Sequence, residues 1–438
     1  MRLFAGLLIG SQVEASHFRA VGYNIIQDAS PTTVKVSRTM AYRIASAGYG
    51  SACTLADVTA QRESNNGGKE TCSLLSGGSC GSINPAEYIV TDIEDSLQSA
   101  DNFCYGYKTE IFTKPSGPYE ITWGSSAWVP FVTDAGAGAG SGSYGFTATF
   151  YDVENNAPQV KLPPIWKIMA DCPMQTLDLS PVDLDGDRVE CEWATSAEAQ
   201  GAFRGNDYNS ITLDQTTCVL TYDGTVDTAT TGVKPIAVQV KDYDAKGVLR
   251  SSTPVQFLAT VWTPNNSNFK SDMSYGPGNP FVYNPALFSS VENGDHVDEG
   301  DVTHRDRRST PAYCDAKPAL VGASPPAGTI LDATTGITLT VAAAAPTGGS
   351  ITRFRYNSPM GMTCTDVVMN NLEGSAVCSW TPSAAQNGQV FNFCFTADDS
   401  LGMSSERRCV KLSAGSSVPV TVGLNTSSIF NLIFRYYI

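Results

Sequence analysis

Positive charge and histidine are scarce in this sequence. Across 438 residues, 28 Lys and Arg face 43 Asp and Glu, and three histidines occur. The formal net charge of −15 repels nucleic acid and anionic lipid, so neither is expected as a partner. It attracts divalent cations. His17, His296 and His304 signal no Ser-His-Asp arrangement. A copper site on an N-terminal His17 needs that residue's own amine, and a cut after Ala15 leaves Ser16 in front of it. His17 therefore reads as a strand residue. His296 and His304 lie among Asp295, Asp298, Glu299 and Asp301, a set too loose to define a metal site. Carboxylates are too numerous for a glycosidase-like pair to stand out, so the chain does not read as an enzyme. Also missing are the C-x-x-C pairs of zinc and redox sites, any apolar run long enough to span a bilayer, and any sustained 3.6-residue period. The tail Ile429 to Ile438 is apolar but short and broken by Arg435, too short for a GPI signal. Membrane association is not indicated.

What is present argues for strands. Val, Ile, Thr, Tyr and Phe recur in short runs separated by Gly, Pro, Asn, Asp and Ser, the punctuation of an antiparallel all-β fold. A hydrophobic fraction of 42 % over this length suffices for three domains, each with a core. Three features agree on export. Met1 to Ala15 looks like a signal peptide, with Arg2 before the apolar run Leu3 to Gly10 and tolerated residues Val13-Glu14-Ala15 before the cut. There are 12 cysteines, an even number. Sequons for N-glycosylation stand at Asn265 and Asn425. The expected location is secreted, in an extracellular, oxidising setting.

An internal repeat organises the second half. One copy runs Thr217-Cys218-Val219-Leu220-Thr221, a Gly-containing turn, Ile236 to Asp242, Gly247, Ser251-Ser252 and a closing strand Val255 to Val261. The other runs Val377-Cys378-Ser379-Trp380-Thr381, a turn with Gly388, Phe391 to Ala397, Asp398, Gly402, Ser404-Ser405 and a closing strand Cys409 to Leu412. Each ends in the terminal hairpin of a sandwich. Trp380-Thr381-Pro382, Gln386-Asn387-Gly388, Phe391 to Ala397, Asp398 and Gly402 resemble the W-x-P…Q-x-G…A-x-D-x-x-G pattern of Ig-like, cadherin-like modules of the dystroglycan type. That resemblance implies seven-stranded β-sandwiches in an extracellular protein, and no single function. From Ser16-His17-Phe18-Arg19 onward the chain is similar to a class of animal secreted proteins that place an N-terminal β domain before such modules. The expected division is a signal peptide at 1–15, an N-terminal β domain at 16–154, a sandwich at 155–263, a polar linker at 264–313, a second sandwich at 314–415 and a tail at 416–438. The Gly-rich segment Ala135 to Gly145 reads as a hairpin tip; no helix or Lys follows to make it a phosphate loop.

Two constellations carry chemistry. Asp152-Val153-Glu154-Asn155-Asn156-Ala157-Pro158 is similar to the D-x-N-D-N-x-P linker between cadherin repeats, with Glu154 and Asn155 departing from it. Asp183-Leu184-Asp185-Gly186-Asp187 and Asp242-Tyr243-Asp244 follow where such repeats place their later acidic residues. Calcium takes six to eight hard oxygens, and alternate Asp residues around a Gly turn present several at once. A solvated Asp-Gly turn would look the same locally; the order of linker, paired Asp and later Asp favours Ca2+. The expected ligands are Asp152, Glu154, Asn156, Asp183, Asp185, Asp187, Asp242 and Asp244. The third domain lacks the paired-Asp motif and is expected to lack the site. The second constellation is Arg305-Asp306-Arg307-Arg308 before Ser309, a furin-type pattern in the polar linker.

Cysteines divide four, three and five among the domains, so a bridge between domains or to another molecule is expected. Cys394 with Cys409 flank the terminal hairpin, and Cys191 with Cys218 form the expected pair of the second domain. Cys172 and Cys314 remain for a link across the cut. Most tryptophans read as core anchors, although Trp123 and Trp128 beside Tyr119 suggest a sugar-stacking face. The leading function is a secreted adhesive or matrix protein with calcium-stiffened sandwiches, binding an extracellular protein or glycan. The alternatives are a carbohydrate-binding or carbohydrate-acting protein and a furin-processed precursor of a filament.

Overall fold

The structure, a computed structural model, describes residues 18–42, 62–94, 103–126, 143–160, 165–200, 209–226, 232–262 and 317–415, less a few isolated positions, with short pieces around 53–60 and 131–139. The signal segment, all three histidines, Trp128, Asn265, Asn425, Arg305, Arg307, Arg308 and Cys314 lie outside the described residues. No described helix is long and apolar enough to cross a membrane.

The chain is all-β. Its first unit contains β1 (Phe18–Gln27), β2 (Thr33–Tyr42), β3 (Glu63–Leu74), β4 (Ser79–Glu94), β5 (Phe103–Thr113), β6 (Tyr119–Ser126), the short β7 (Phe131–Thr133) and β8 (Gly136–Ala139), and β9 (Ser143–Phe150). The second contains β10 (Ile165–Met169), β11 (Gln175–Asp178), β12 (Arg188–Trp193), β13 (Ile211–Asp214), β14 (Val219–Tyr222), β15 (Gly232–Tyr243) and β16 (Leu249–Trp262). The third contains β17 (Ala319–Leu320), β18 (Ile330–Asp332), β19 (Ile337–Ala344), β20 (Ile351–Asn357), β21 (Thr363–Cys364), β22 (Val368–Asn370), β23 (Glu373–Trp380), β24 (Val390–Asp399) and β25 (Arg408–Ser413).

The second and third units are tandem sandwiches of the same design. In the second, β10-β16-β15-β12 faces β11-β14-β13; in the third, β18-β25-β24-β20 faces β17-β19-β23-β21. In each, a short early strand runs parallel to the last strand: β10 beside β16 and β18 beside β25. This is the two-sheet arrangement of Ig-like and cadherin-like modules, and it gives the sequence repeat a structural form. Trp380 is buried in the third core against Phe391.

The first unit is a rolled sheet in the order β1-β2-β5-β4-β3-β6-β9. Both of its outer strands end on β16. Thr149 and Phe150 of β9 pair with Ser252 and Ser251, and Val21 and Gly22 of β1 pair with Gln256 and Val255. One strand of the second unit thus seals the first. A single hydrophobic core runs from Phe18 to Val261, so the expected boundary at 154/155 marks a change in sequence character, while sheet and core continue across it. The physical reason is edge satisfaction: β1 and β9 would otherwise leave rows of unpaired backbone groups.

Period-two alternation fills the roll. Along β2, Val34, Val36, Arg38, Met40 and Tyr42 are buried, and Lys35, Ser37 and Thr39 face outward. Aromatic rings dominate the interior: Phe18 stacks on Tyr144 at 4.4 Å, and Tyr42 on Tyr88 at 5.9 Å. Trp123 and Tyr119 belong to this packing, only 2 % and 1 % exposed. The sugar-stacking face expected from them is therefore corrected: large aromatic surface inside a closed roll gains more from burial than from display. Gly145 faces Gly124 across β6 and β9. A Cβ on Gly145 would strike the Trp123 carbonyl and sit 2.7 Å from the Gly124 Cα, whereas one on Gly124 meets nothing closer than 3.7 Å. Gly145→Ala should therefore cost about 1–3 kcal/mol by overpacking, and Gly124→Ala much less, as read from urea midpoints.

Disulfides join Cys53–Cys104, Cys72–Cys80, Cys191–Cys218, Cys364–Cys378 and Cys394–Cys409. Cys394 and Cys409 sit directly opposite on β24 and β25. Cys172 is also disulfide-bonded. The third unit touches the others through polar contacts. Arg407 donates to the Asp178 carbonyl at 3.2 Å, Asn392 to the Ser180 carbonyl at 2.7 Å, and Asn357 to the Tyr105 hydroxyl at 3.3 Å.

Candidate cation site at the first junction

The junction is short, acidic and strapped down. The backbone N–H of Gln27 donates to Asn156 Oδ1 at 2.7 Å, and the Gln27 side-chain amide donates to the carbonyls of Val153 and Asn155 at 2.9 Å. Ala157 N–H adds a bond to the Ile25 carbonyl. These bonds tie the junction to β1, and a bridge between Gln159 and Val182 ties it to the segment between β11 and β12.

That segment holds the D-x-D-G-D turn. Gly186 has φ 79°, the left-handed conformation that lets the chain fold back there. Asp183 Oδ1 accepts the backbone N–H groups of Asp185 and Asp187, both at 2.9 Å. The carboxylates of Asp183, Asp185 and Asp187 present oxygens within 4.8 Å of one another. Asn156 donates twice to Asp185, from its backbone at 2.7 Å and its side chain at 2.6 Å. Behind them lies Asp242, fully buried, which accepts from the Ser251 hydroxyl and from Asn155 Nδ2 at 2.6 Å.

The electrostatics show a site short of positive charge. Burial, helped by the Asp242 and Asp185 charges, pushes the Asp183 carboxyl up to about 7 against the pull of the two backbone donors. Burial also raises Asp187 and Asp242. Arg250 supplies a nearby cation, held by Asp152 at 2.6 Å. Two buried oxygens, Asp183 Oδ2 and Asn155 Oδ1, have no hydrogen-bond partner. Buried oxygens of that kind normally find one, and a hard cation is a partner of the right chemistry.

The expected ligands therefore separate. Asp183, Asp185, Asp187, Asn156 and Asp242 come together. Glu154 turns away, exposed, to Lys114 at 2.9 Å. Asp152 accepts Glu154 N–H and pairs with Arg250. Asp244 caps its own turn, accepting the N–H groups of Lys246 and Val248. Asn155 was not among the expected ligands, since it stands where the cadherin linker has Asp. It is nonetheless the buried residue that joins the linker to Asp242.

No protein-family model and no curated protein matches the sequence. Among solved structures, the chain is similar to fibronectin(III)-like modules of Clostridium thermocellum CbhA at 12 % identity, covering 59 % of this chain and 95 % of that one, TM-score 0.18. It is similar to the protocadherin GammaB4 extracellular domain at 11 % identity, covering 78 % of this chain and 46 % of that one, TM-score 0.19. A three-Ig titin fragment, domains I67–I69, matches at 10 % identity, covering 91 % and 98 %, TM-score 0.15. At these scores the matches decide nothing, and the fold rests on the strand pairings themselves.

Proposed function

We propose that the chain is a secreted structural or adhesive protein of the extracellular space whose first junction takes a calcium ion. The observation that supports this most is the pair of buried, unpartnered oxygens, Asp183 Oδ2 and Asn155 Oδ1, among carboxylates that burial leaves short of positive charge. Asp183, Asp185 and Asp187 would hold the ion, with Asn155 from the linker. When bound it supplies the positive charge that the buried carboxylates need. Because β16 already seals the first unit, the ion would tighten one fused body rather than stiffen a hinge between two free ones. Glycosylation at Asn265 and Asn425 and cleavage after Arg308 are part of the same proposal. A Cys172–Cys314 bridge would then keep the cut pieces together.

The test is thermal melting of the intact protein in chelator and in calcium. Calcium at 100 times its Kd should add about 2.7 kcal/mol of stability, seen as a higher Tm. Asp183→Asn, which keeps the shape and removes the charge, should abolish the increment. Equal melting temperatures with and without calcium in the unaltered protein would sink the calcium reading.

A further inference from the structure

A second feature lies away from the acidic junction: a cleft of about 270 Å³ between the outer face of the first unit and the third unit. Its floor follows from strand register. Across β1, β2 and β5, Gly22, Thr39 and Tyr107 form one row, and Asn24, Ser37 and Thr109 form the next. On β2 and β5, inward-pointing residues alternate with these, so Ser37, Thr39, Tyr107 and Thr109 turn outward, while Asn24 of β1 is buried. Ser37 and Thr109 hydroxyls bond each other at 2.8 Å, which orients that row. The third unit supplies the opposite wall through Phe391 and Gln386, and Gln159 of the junction closes one end.

The lining offers little uncompensated charge. Lys35 pairs with Asp28 at 3.4 Å. Arg38 turns its guanidinium into the roll, against Glu70 and Glu110. What faces the cleft is a set of neutral hydroxyls and amides interleaved with aromatic and proline surfaces, Pro158 and Pro359 among them. A pyranose ring presents the matching chemistry, with flat C–H faces for rings and equatorial hydroxyls for neutral hydrogen bonders. A peptide strand would want the unpaired backbone of a sheet edge, and this floor is the face of a paired sheet. A charged ligand would want an unpaired ion. We propose that this inter-unit cleft binds a neutral oligosaccharide, with Tyr107 and Phe391 as apolar walls and Ser37, Thr39, Thr109 and Gln386 as hydrogen-bonding groups.

This does not rest on the calcium reading, because the cleft shares none of the acidic ligands. The test uses the intact protein on immobilised neutral oligosaccharides of two to four hexose units, with sialylated and sulfated oligosaccharides for comparison. Neutral glycans should be retained in preference. Tyr107→Ala, and Thr109→Arg at an exposed position on the floor, should each weaken retention by about tenfold or more, a loss of 1.4 kcal/mol or more. Val368→Ser, on an exposed strand of the third unit, should leave it unchanged. Near-ultraviolet circular dichroism checks folding, and if Tyr107→Ala fails to fold, Thr109→Arg decides. The proposal is overturned if no neutral oligosaccharide is retained, if charged ones are retained more tightly, or if folded Thr109→Arg binds as the unaltered protein does.

Discussion

Replacing Arg38 by Met should destabilise the protein by about 3–5 kcal/mol, because it leaves a buried carboxylate without its counter-ion. Arg38 and Glu70 both have fully buried side chains and meet at 2.7 Å inside the first unit. Tyr23 donates to Glu70 at 3.2 Å. Arg38 also reaches Glu110 at 2.6 Å, which Lys108 approaches at 3.2 Å. Burial raises the Glu70 carboxyl to about 7 even though Arg38 and Tyr23 pull it down. Its folded value thus lies above its unfolded one. Stability is greatest below the unfolded value and is lost as pH rises towards the folded one. Removing Arg38 removes the largest opposing pull, so the loss in Arg38→Met should be greater at pH 8 than at pH 5, where Glu70 carries a proton in both proteins. Arg38→Met with Glu70→Leu should recover most of the loss, since neither charge then remains buried. Guanidinium denaturation at the two pH values measures all of this. A loss under about 1 kcal/mol at pH 8, or no recovery in the double variant, would show that the pair contributes little.

Nothing in the sequence announced that pair. Arg38 sits in the run T-V-K-V-S-R-T-M-A-Y, where period two puts it in line with Val34, Val36 and Met40. Alternation alone marks it as inward-facing, but its partner Glu70 lies 32 residues on, in a strand whose sequence, E-S-N-N-G-G-K-E-T-C-S-L, is mostly polar. Pairing of that kind is a tertiary fact. The same holds for the sealing of the first unit by β16. The run Val255 to Val261 reads as a closing strand from its own residues, yet which strands would take its free edge depends on how the first unit rolls. By contrast, the terminal hairpins were legible because their signals are local: apolar runs on either side of an Asp-containing turn, with Cys394 and Cys409 equally spaced about it. The acidic turn was legible for the same reason, whereas the bond from Asn155 to Asp242 spans 87 residues and leaves no local signal.

The repeat also explains why one junction is acidic and the other unit is not. Asp242 and Asp398 hold the same place in their hairpins. Asp242 accepts from Ser251, and Asp398 accepts from Ser404 at 2.6 Å. Across the sheet, however, Asp242 pairs with Val189 and Asp398 with Arg353. Arg353 and Arg355 reach Asp398 at 2.9 and 3.0 Å. Burial would raise this carboxyl, yet Arg355, Lys167, Arg353 and Ser404 hold it well below the usual carboxylate range. In the second unit no arginine of β12 fills that role, and Asp242 and Asp183 are raised instead. In the second unit, the proposed cation would supply the positive charge that Arg353, Arg355 and Lys167 supply to Asp398.

Asp398→Asn should therefore cost the third unit about 3 kcal/mol or more, since Arg355 and Lys167 lose their shared counter-ion. The more exposed Arg353 adds less, because water screens it. The sign with pH is opposite to that of Glu70. A depressed carboxyl contributes stability that is present above its unfolded value, near 3.9, and is lost as pH falls below it. The unaltered third unit should lose protection at acid pH, and the Asn variant should show a flatter profile from a lower start. Hydrogen exchange at the amides of Phe393 to Ala397 reads this unit apart from the others. Calcium should not restore the loss, because arginines already supply the positive charge beside Asp398. Recovery by calcium would mean that the two hairpin aspartates serve one kind of site after all.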